Sequence, residues 1–411
     1  MRKLESRKEV NALIILFVFT YMVSYITRIN YGAIISEMEK ETGFARNLLS
    51  MALTGSFITY GVGQIISGIC GDRFSPKKLV SCGLTLTVIM NLFIPLCNNP
   101  YLMTVVWCVN GFAQSLMWPP LVRIMATLLS EEDYKNASSK VSWGGNFGTI
   151  AVYTLSPLLI SVLGWKSVFV FSSLCGAAMI FIWNKYSYEI DKEPRKTNAP
   201  KKDIKVSSVF NILMISIMIA IILQGMLRDG VTTWMPSYIS ETYNISNIIS
   251  ILTGVVLPIF GIICIQFATK LYIKKFTNPM TCAGVFFGGG AMSALILLFV
   301  TGKNAALSVL FSSLLTGCMH GVNLIIICMI PPFFQKDGIV STVSGILNSC
   351  TYIGSAVSTY GIAVLSKNVG WTYTLILWLL IAVLGTAVCM LCVKPWEKKV
   401  NSVSNKEMNS F

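Results

Sequence analysis

Long apolar runs dominate this chain, and short polar segments separate them. A helix that crosses a bilayer needs about 20 predominantly apolar residues. Twelve runs meet that length, near 11–35, 47–70, 78–97, 101–127, 138–162, 165–185, 207–239, 247–271, 278–300, 304–330, 339–365 and 370–393. The one long polar interruption, residues 186–206, contains Pro194, Pro200 and an excess of basic residues, with six runs on either side. The pattern predicts an all-α membrane protein of twelve transmembrane helices in two six-helix halves. Residues 1–185 form the first half, 186–206 a cytoplasmic linker, 207–393 the second half and 394–411 a cytoplasmic tail.

Composition supports this reading and excludes others. The mean hydropathy is +0.68, and charged residues make up 12% of the chain, against about 25% in soluble proteins. The net charge of +14 raises the possibility of nucleic-acid binding, but its distribution argues against it. With both termini in the cytoplasm, five of the 32 Lys and Arg lie in outer loops (Lys40, Arg46, Lys166, Lys303, Lys367). Three lie well inside spans (Arg28, Arg123, Arg228), which leaves 24 on the cytoplasmic side or at its edge. That asymmetry is the positive-inside rule, and it predicts a multi-pass protein of the inner (plasma) membrane with cytoplasmic termini. The basic start followed by an apolar run resembles a secretory signal, but with no small-residue cleavage site it reads as a retained first helix. The 12 Cys lie almost all in apolar runs, and the Cys389/Cys392 pair reads as helix packing, not metal or redox chemistry.

The halves repeat one another. Asn146-Phe-Gly148 with Gly164-Trp165 recurs as Tyr352-Ile-Gly354 with Gly370-Trp371, at a constant offset of 206, and Pro119-Pro120 is echoed by Pro331-Pro332. Arg28 and Arg228 lie 200 apart, each in the first span of its half. Repeated halves place a solute site at the repeat interface. An Arg at the centre of a lipid-facing helix costs about 2.5–3.5 kcal/mol, so both arginines are expected to face protein or a watery solute path. Guanidinium groups present planar donor forks that match phosphate oxygens and stay charged. His320, the only histidine, reads either as a satisfied interior residue or as a substrate donor or proton-sensitive gate. Among 18 Asp and Glu, Asp229 alone falls well inside a span, which is thin provision for a proton relay. Exchange of one anion for another needs no relay. A phosphate-cradling GxxxxGK[ST] loop is absent, as is a loop long enough for an enzyme domain, and a lone His makes a His-based metal site or triad implausible. The expected protein is therefore not an enzyme and uses no cofactor. Its partners are a small anionic solute and the lipid bilayer, not nucleic acid.

Gly68-Ile-Cys-Gly71-Asp72-Arg73-Phe-Ser-Pro-Lys77-Lys78 resembles the loop between helices 2 and 3 of the major facilitator superfamily. The resemblance implies a fold of two six-helix halves around a central cavity, a monomer, and gating by Asp72, Arg73 and Lys77. Arg123 is expected to steady the interdomain interface. The second-half counterpart, near Gln266 to Lys275, lacks the acid, so any such clasp is asymmetric. Within the superfamily, three further segments resemble the organophosphate:phosphate antiporters that carry glycerol 3-phosphate and hexose phosphates. They are Tyr25-Ile-Thr-Arg28-Ile-Asn30-Tyr31, Trp118-Pro119-Pro120-Leu-Val-Arg123, and Met226-Leu-Arg228-Asp-Gly230 with Trp234-Met-Pro236-Ser-Tyr238.

That resemblance makes Arg28 and Arg228 the phosphate ligands of an alternating-access exchanger. Tyr21, Tyr25, Tyr60, Gln64, Trp118, Asn146, His320 and Asn323 complete the candidate solute site. Two cations of the glycerol-3-phosphate carriers are missing: a helix-2 lysine is replaced by Gln64, and a helix-5 histidine by Gly145. A differently shaped phosphate ester or a carboxylate is therefore credible. Two alternatives stay open: a carboxylate or sugar-acid symporter of the same superfamily, and a non-transporting sugar-phosphate membrane sensor.

Overall fold

The computed structural model describes residues 3–44, 46–188, 211–245, 253–254, 256–335 and 337–408. Most of the predicted linker, 189–206, lies outside the described residues, as does the end of the tail, 409–411. The described residues form helices with no β-strand among them. In chain order these are α1 (Arg7–Ala33), α2 (Ile35–Thr42), α3 (Arg46–Arg73), α4 (Pro76–Phe93), α5 (Pro100–Ser115), α6 (Trp118–Leu128), α7 (Glu131–Leu163) and α8 (Lys166–Tyr186). They continue as α9 (Ile212–Tyr243), α10 (Val256–Lys274), α11 (Pro279–Val300), α12 (Ala305–Asn323), α13 (Val340–Val369) and α14 (Trp371–Met408).

Polar caps set where many of these helices begin. The side chains of Ser75, Asn99, Ser130, Asn278 and Asn304 each accept a backbone N–H at the start of α4, α5, α7, α11 and α12. Proline follows the cap in α4, α5 and α11, where its missing N–H costs nothing. Ten segments among the described residues are long and apolar enough to cross a bilayer. The fourth predicted span is absent from that set because it is broken. Leu116 and Met117 separate the 16-residue α5 from the 11-residue α6, whose first turn carries Pro119 and Pro120. Pro331 and Pro332 mark a second break, where α12 passes through a π turn (Leu324–Cys328) into a 3-10 turn (Pro331–Phe334). Both double prolines withdraw backbone donors and obstruct the preceding turn. The eleventh predicted span is α13, a 30-residue helix whose buried Ser341, Thr342, Ser344, Ser349, Thr351, Ser355 and Ser358 dilute its apolar character. Large apolar side chains such as Phe19, Ile58, Leu158, Phe181 and Leu391 are exposed, as lipid-facing helices require.

The chain divides into two compact units, Met1–Lys202 with Pro331–Ser349, and Asp203–Ile330 with Cys350–Phe411. This differs from a cut at the linker, because the segment Pro331–Ser349, from the second half of the sequence, packs with the first unit. Inside the first unit, α3 lies against α5, α1 against α7 and α4 against α8. Its aromatic core includes Tyr31, Trp107, Trp165 and Phe169, with Tyr31 and Trp107 ring centroids 5.0 Å apart. Inside the second unit, α11 packs on α12 and α14, and α12 on α9 and α10. Cys389 and Cys392 are buried free thiols of α14, and a Cβ on Gly284 of α11 would stand 3.4 Å from the Cβ of Cys389. They fill space between helices.

The internal repeat is visible as a repeated packing contact. A Cβ on Gly148 would stand 2.5 Å from the Met22 carbonyl and 2.7 Å from the Tyr25 Cβ. A Cβ on Gly354 would overlap the carbonyl of Ile222 and stand 3.0 Å from the Met226 nitrogen. Each unit thus uses a glycine at the same point of its fifth span to bring that helix close to its first, as small residues do in membranes.

Candidate functional site

In the first unit, α1 carries Tyr21, Tyr25 and Arg28, which lie at i, i+4 and i+7 and so share one helix face. The Arg28 guanidinium carbon lies 4.2 Å from the Tyr25 ring centroid and 4.9 Å from that of Tyr60 on α3. Tyr21 connects this group to α6, with its ring 5.1 Å from Tyr25 and 4.8 Å from Trp118. The five predicted residues Tyr21, Tyr25, Arg28, Tyr60 and Trp118 therefore form one aromatic cluster around a cation. The buried indole N–H of Trp118 has no hydrogen-bond partner among the described residues.

Gly145 explains one of the departures noted above. A Cβ there would stand 2.9 Å from the Cε2 and Cζ atoms of the Tyr25 ring, so Tyr25 occupies the room that a histidine would need. Gln64, the other departure, is fully buried one turn beyond Tyr60, and its amide donates to the Ser115 carbonyl at 3.4 Å. Asn146 is half-buried and donates to the Ser142 carbonyl of its own helix at 3.3 Å.

Arg28 rests on a buried polar network that sequence reasoning missed. Thr27 is its centre. Asn91 and Asn110 donate to the Thr27 carbonyl at 3.0 and 3.3 Å, and Gln114 donates to the Thr27 hydroxyl at 2.9 Å. Asn30 donates to Asn91 Oδ1 at 2.7 Å and to the Ser172 hydroxyl at 3.0 Å. These bonds tie α1 to α4, α5 and α8 on either side of Arg28 and fix its rotation, since each would be costly to lose away from water. Asn91, Asn110 and Gln114 each lie in an apolar run, and that was the available signal.

In the second unit, α9 presents Gln224, Arg228 and Asp229. Arg228 binds its neighbour Asp229 bidentately, Nε to Oδ1 at 2.7 Å and Nη2 to Oδ2 at 2.9 Å. The Ser355 hydroxyl of α13 also donates to Asp229 Oδ2. His320 on α12 lies within electrostatic reach of both charges, and its ring borders Gly261 of α10, where a Cβ would stand 3.2 Å from His320 Cδ2. Fully buried Gln224 donates to the Met319 carbonyl at 3.0 Å and accepts from Asn323 at 3.4 Å. The predicted residues Arg228, His320 and Asn323 thus share a neighbourhood. Ser355 and Gln224 join them as additions, and Asp229 becomes part of the site.

The candidate gating residues bind helix ends. Asp72 accepts the N–H groups of Ser341 and Thr342 at 2.9 and 2.7 Å, in the first turn of α13. A carboxylate there acts as a borrowed cap and complements the positive end of the helix. Gly68 and Gly71 permit the approach, since a Cβ on Gly68 would stand 2.8 Å from the Ser341 carbonyl. Arg123 donates to the carbonyls of Gly71 and Phe74 at the C-terminal end of α3. Lys77 donates to the carbonyl of Ser187, just after α8, at 2.9 Å. Arg73 is exposed.

The family model described as the Major Facilitator Superfamily matches residues 17–359. The chain belongs to the Major Facilitator Superfamily. Membership makes it a multi-pass membrane protein of a transporter family and not an enzyme. A probable hexose phosphate transport protein of Chlamydia muridarum is 21% identical over 387 residues, covering 86% of this chain and 84% of that one. The glycerol-3-phosphate transporter of Bacillus subtilis is 25% identical over 305 residues, 68% of each. The crystal structure of the E. coli fucose:proton symporter superposes with a TM-score of 0.74 at 14% identity, covering 93% of this chain and 97% of that one. This last likeness supports the major facilitator fold alone.

Proposed function

We propose that this protein exchanges a small phosphate ester for inorganic phosphate across the inner membrane by alternating access, with both termini in the cytoplasm. The observation that carries the reading is the presence in each half of one guanidinium on the first span, held in place by its own unit. Arg28 is held by the Tyr25 and Tyr60 rings, and Arg228 by Asp229. Forked donors at both places suit a phosphate, whose oxygens accept bidentate bonds. The phosphorylated solutes of the Chlamydia and Bacillus relatives support a phosphorylated solute here.

Tyr21, Tyr60 and Trp118 form the wall beside Arg28, and His320, Asn323 and Gln224 the polar surroundings of Arg228. Gln64 and Asn146 adjust the first-half wall. Anion binding at Arg28, and its exchange with Asp229 at Arg228, permits reorientation, which couples entry of one anion to exit of another. Asp72, with Arg123, Lys77 and Arg73, acts as the gate latch: the bonds from Ser341 and Thr342 must break when α13 moves. The working unit is a monomer, and the solute is the partner that changes its state.

The test is uptake of radiolabelled inorganic phosphate into proteoliposomes preloaded with phosphate or left empty. Exchange is expected only with preloading, and it is expected to be lost in Arg28→Lys and Arg228→Lys, which keep the charge but not the fork. Folded protein that exchanges nothing would sink the reading. Strong proton-gradient dependence without a need for internal anion would replace exchange by symport. A second reading, a carboxylate carrier, is favoured by one observation: the Arg228 fork already holds a carboxylate, that of Asp229. Inhibition of exchange by carboxylates more strongly than by phosphate esters would select it.

A further inference from the structure

A groove between α4 and α8 of the first unit contains a cavity of about 480 Å³, whose lining includes none of the Arg28 cluster. Lys77 and Lys78 stand at one end, Ser81, Thr85 and Asn184 follow, and Leu86 lies deeper. The α4 residues recur at spacings of three and four, which places them along one side of the helix. α4 starts at Pro76 behind its Ser75 cap, so both lysines lie where the span leaves the hydrocarbon, beside the positive end of a helix. Trp183 donates its indole N–H to the Lys77 carbonyl at 3.0 Å, which pins α8 to α4 at that end.

The groove changes character with depth. At the rim, Lys77 gives one N–H to Ser187, which among the described residues leaves two of the three ammonium donors, and Lys78 is exposed. Lys185 is a third cation nearby, with its ammonium 5.3 Å from the Tyr186 ring centroid. In the middle, Ser81 donates to Asn184 Oδ1 at 3.0 Å and Thr85 to the Ser81 carbonyl at 2.8 Å, so the Asn184 amide nitrogen remains as a donor. Beyond Leu86 the α4 surface is apolar, with Ile89 and Phe93 exposed, and on α8 Phe181 and Ile182 are exposed within one turn of Asn184. From Lys77 to Leu86 is nine residues, roughly 13 Å at 1.5 Å per residue, comparable to one leaflet of a hydrocarbon core roughly 30 Å thick.

We propose that this groove is a binding site for an anionic phospholipid of the leaflet in which α4 begins. The phosphate sits between Lys77 and Lys78, the ester region meets Ser81 and Asn184, and an acyl chain passes Leu86 and Ile89. A small soluble anion would satisfy the lysines alone, whereas a phospholipid matches the cationic rim, the polar middle and the apolar depth in order. Basic pockets beside transmembrane helices recognise acidic headgroups in this way.

The experiment is native mass spectrometry of the full-length protein titrated with phosphatidylglycerol or phosphatidylcholine of identical chains. Phosphatidylglycerol is expected to be retained preferentially, by about fivefold for each lysine engaged. The preference is expected to fall in Lys78→Gln, an exposed position, and to vanish in Lys77→Gln/Lys78→Gln. Inorganic phosphate should not displace the lipid. Equal retention of the two lipids by wild type, or a preference that survives the double substitution, would overturn the proposal. Displacement by inorganic phosphate would overturn it in favour of a soluble-anion site.

Discussion

Arg28 and Arg228 occupy matching places in two repeated halves, yet one is held by aromatic rings and the other by a carboxylate. Ring faces attract a guanidinium with about 0.5–2 kcal/mol. Asp229 is bonded through both oxygens to Arg228 and also to Ser355, and so pairs that guanidinium with a carboxylate. Arg28 stands against two ring faces, an aromatic shelf. An anion that reaches Arg228 competes with a carboxylate already in place. The duplicated helices have kept their shape, as the Gly148 and Gly354 contacts show, while their electrostatics have diverged.

That contrast can be broken experimentally, and the largest effect belongs to the first half. Arg28→Lys removes the fork and the ring stacking together, and a loss of about a hundredfold or more in phosphate exchange is expected. Exchange within threefold of wild type would show that the aromatic shelf holds no solute ligand. Asp229→Asn keeps the shape and removes the charge, so phosphate should bind about tenfold more tightly, equivalent to about 1.4 kcal/mol, with slower turnover. A rise in the half-inhibiting phosphate concentration in competition assays would instead make Asp229 a solute ligand.

Smaller effects sharpen the picture of the shelf. Tyr25→Leu removes a ring beneath Arg28, and an affinity loss of about fivefold is expected, corresponding to about 1 kcal/mol. Tyr25→Phe keeps the ring and should stay within about twofold. If both substitutions behave alike in isothermal binding of phosphate, the ring contact has no energetic role. Gly145→Ala should mainly cost stability, about 1 kcal/mol, as the added methyl meets the Tyr25 ring. A thermal midpoint equal to wild type would show that the ring yields freely.

Much of the fold was legible because membrane insertion depends on a local, one-dimensional property, the length of an apolar run. The same reading missed the break in span 4, since Leu116 and Met117 are as apolar as their neighbours and only the Trp118-Pro119-Pro120 turn marks it. The candidate site was legible as residue types: Arg28 and Arg228 are conspicuous in apolar runs, and their aromatic neighbours follow at helical spacing. Ser355 and Gln224 were not singled out, because a serine or glutamine inside a span has many possible partners.

Residue order alone thus determined an all-α membrane architecture and singled out the two arginines that need a reason to be there. The tertiary structure decided which face each helix turns inward, because helices apolar on both faces leave little periodicity to read. It placed Tyr25 over Gly145, bound Thr27 to three amides from other helices, and set Asp229 against Ser355, 126 residues away. It also gave Asp72 the N–H groups of Ser341 and Thr342, some 270 residues along the chain. Such pairings arise from packing, where close approach at glycine lets one helix satisfy the backbone of another.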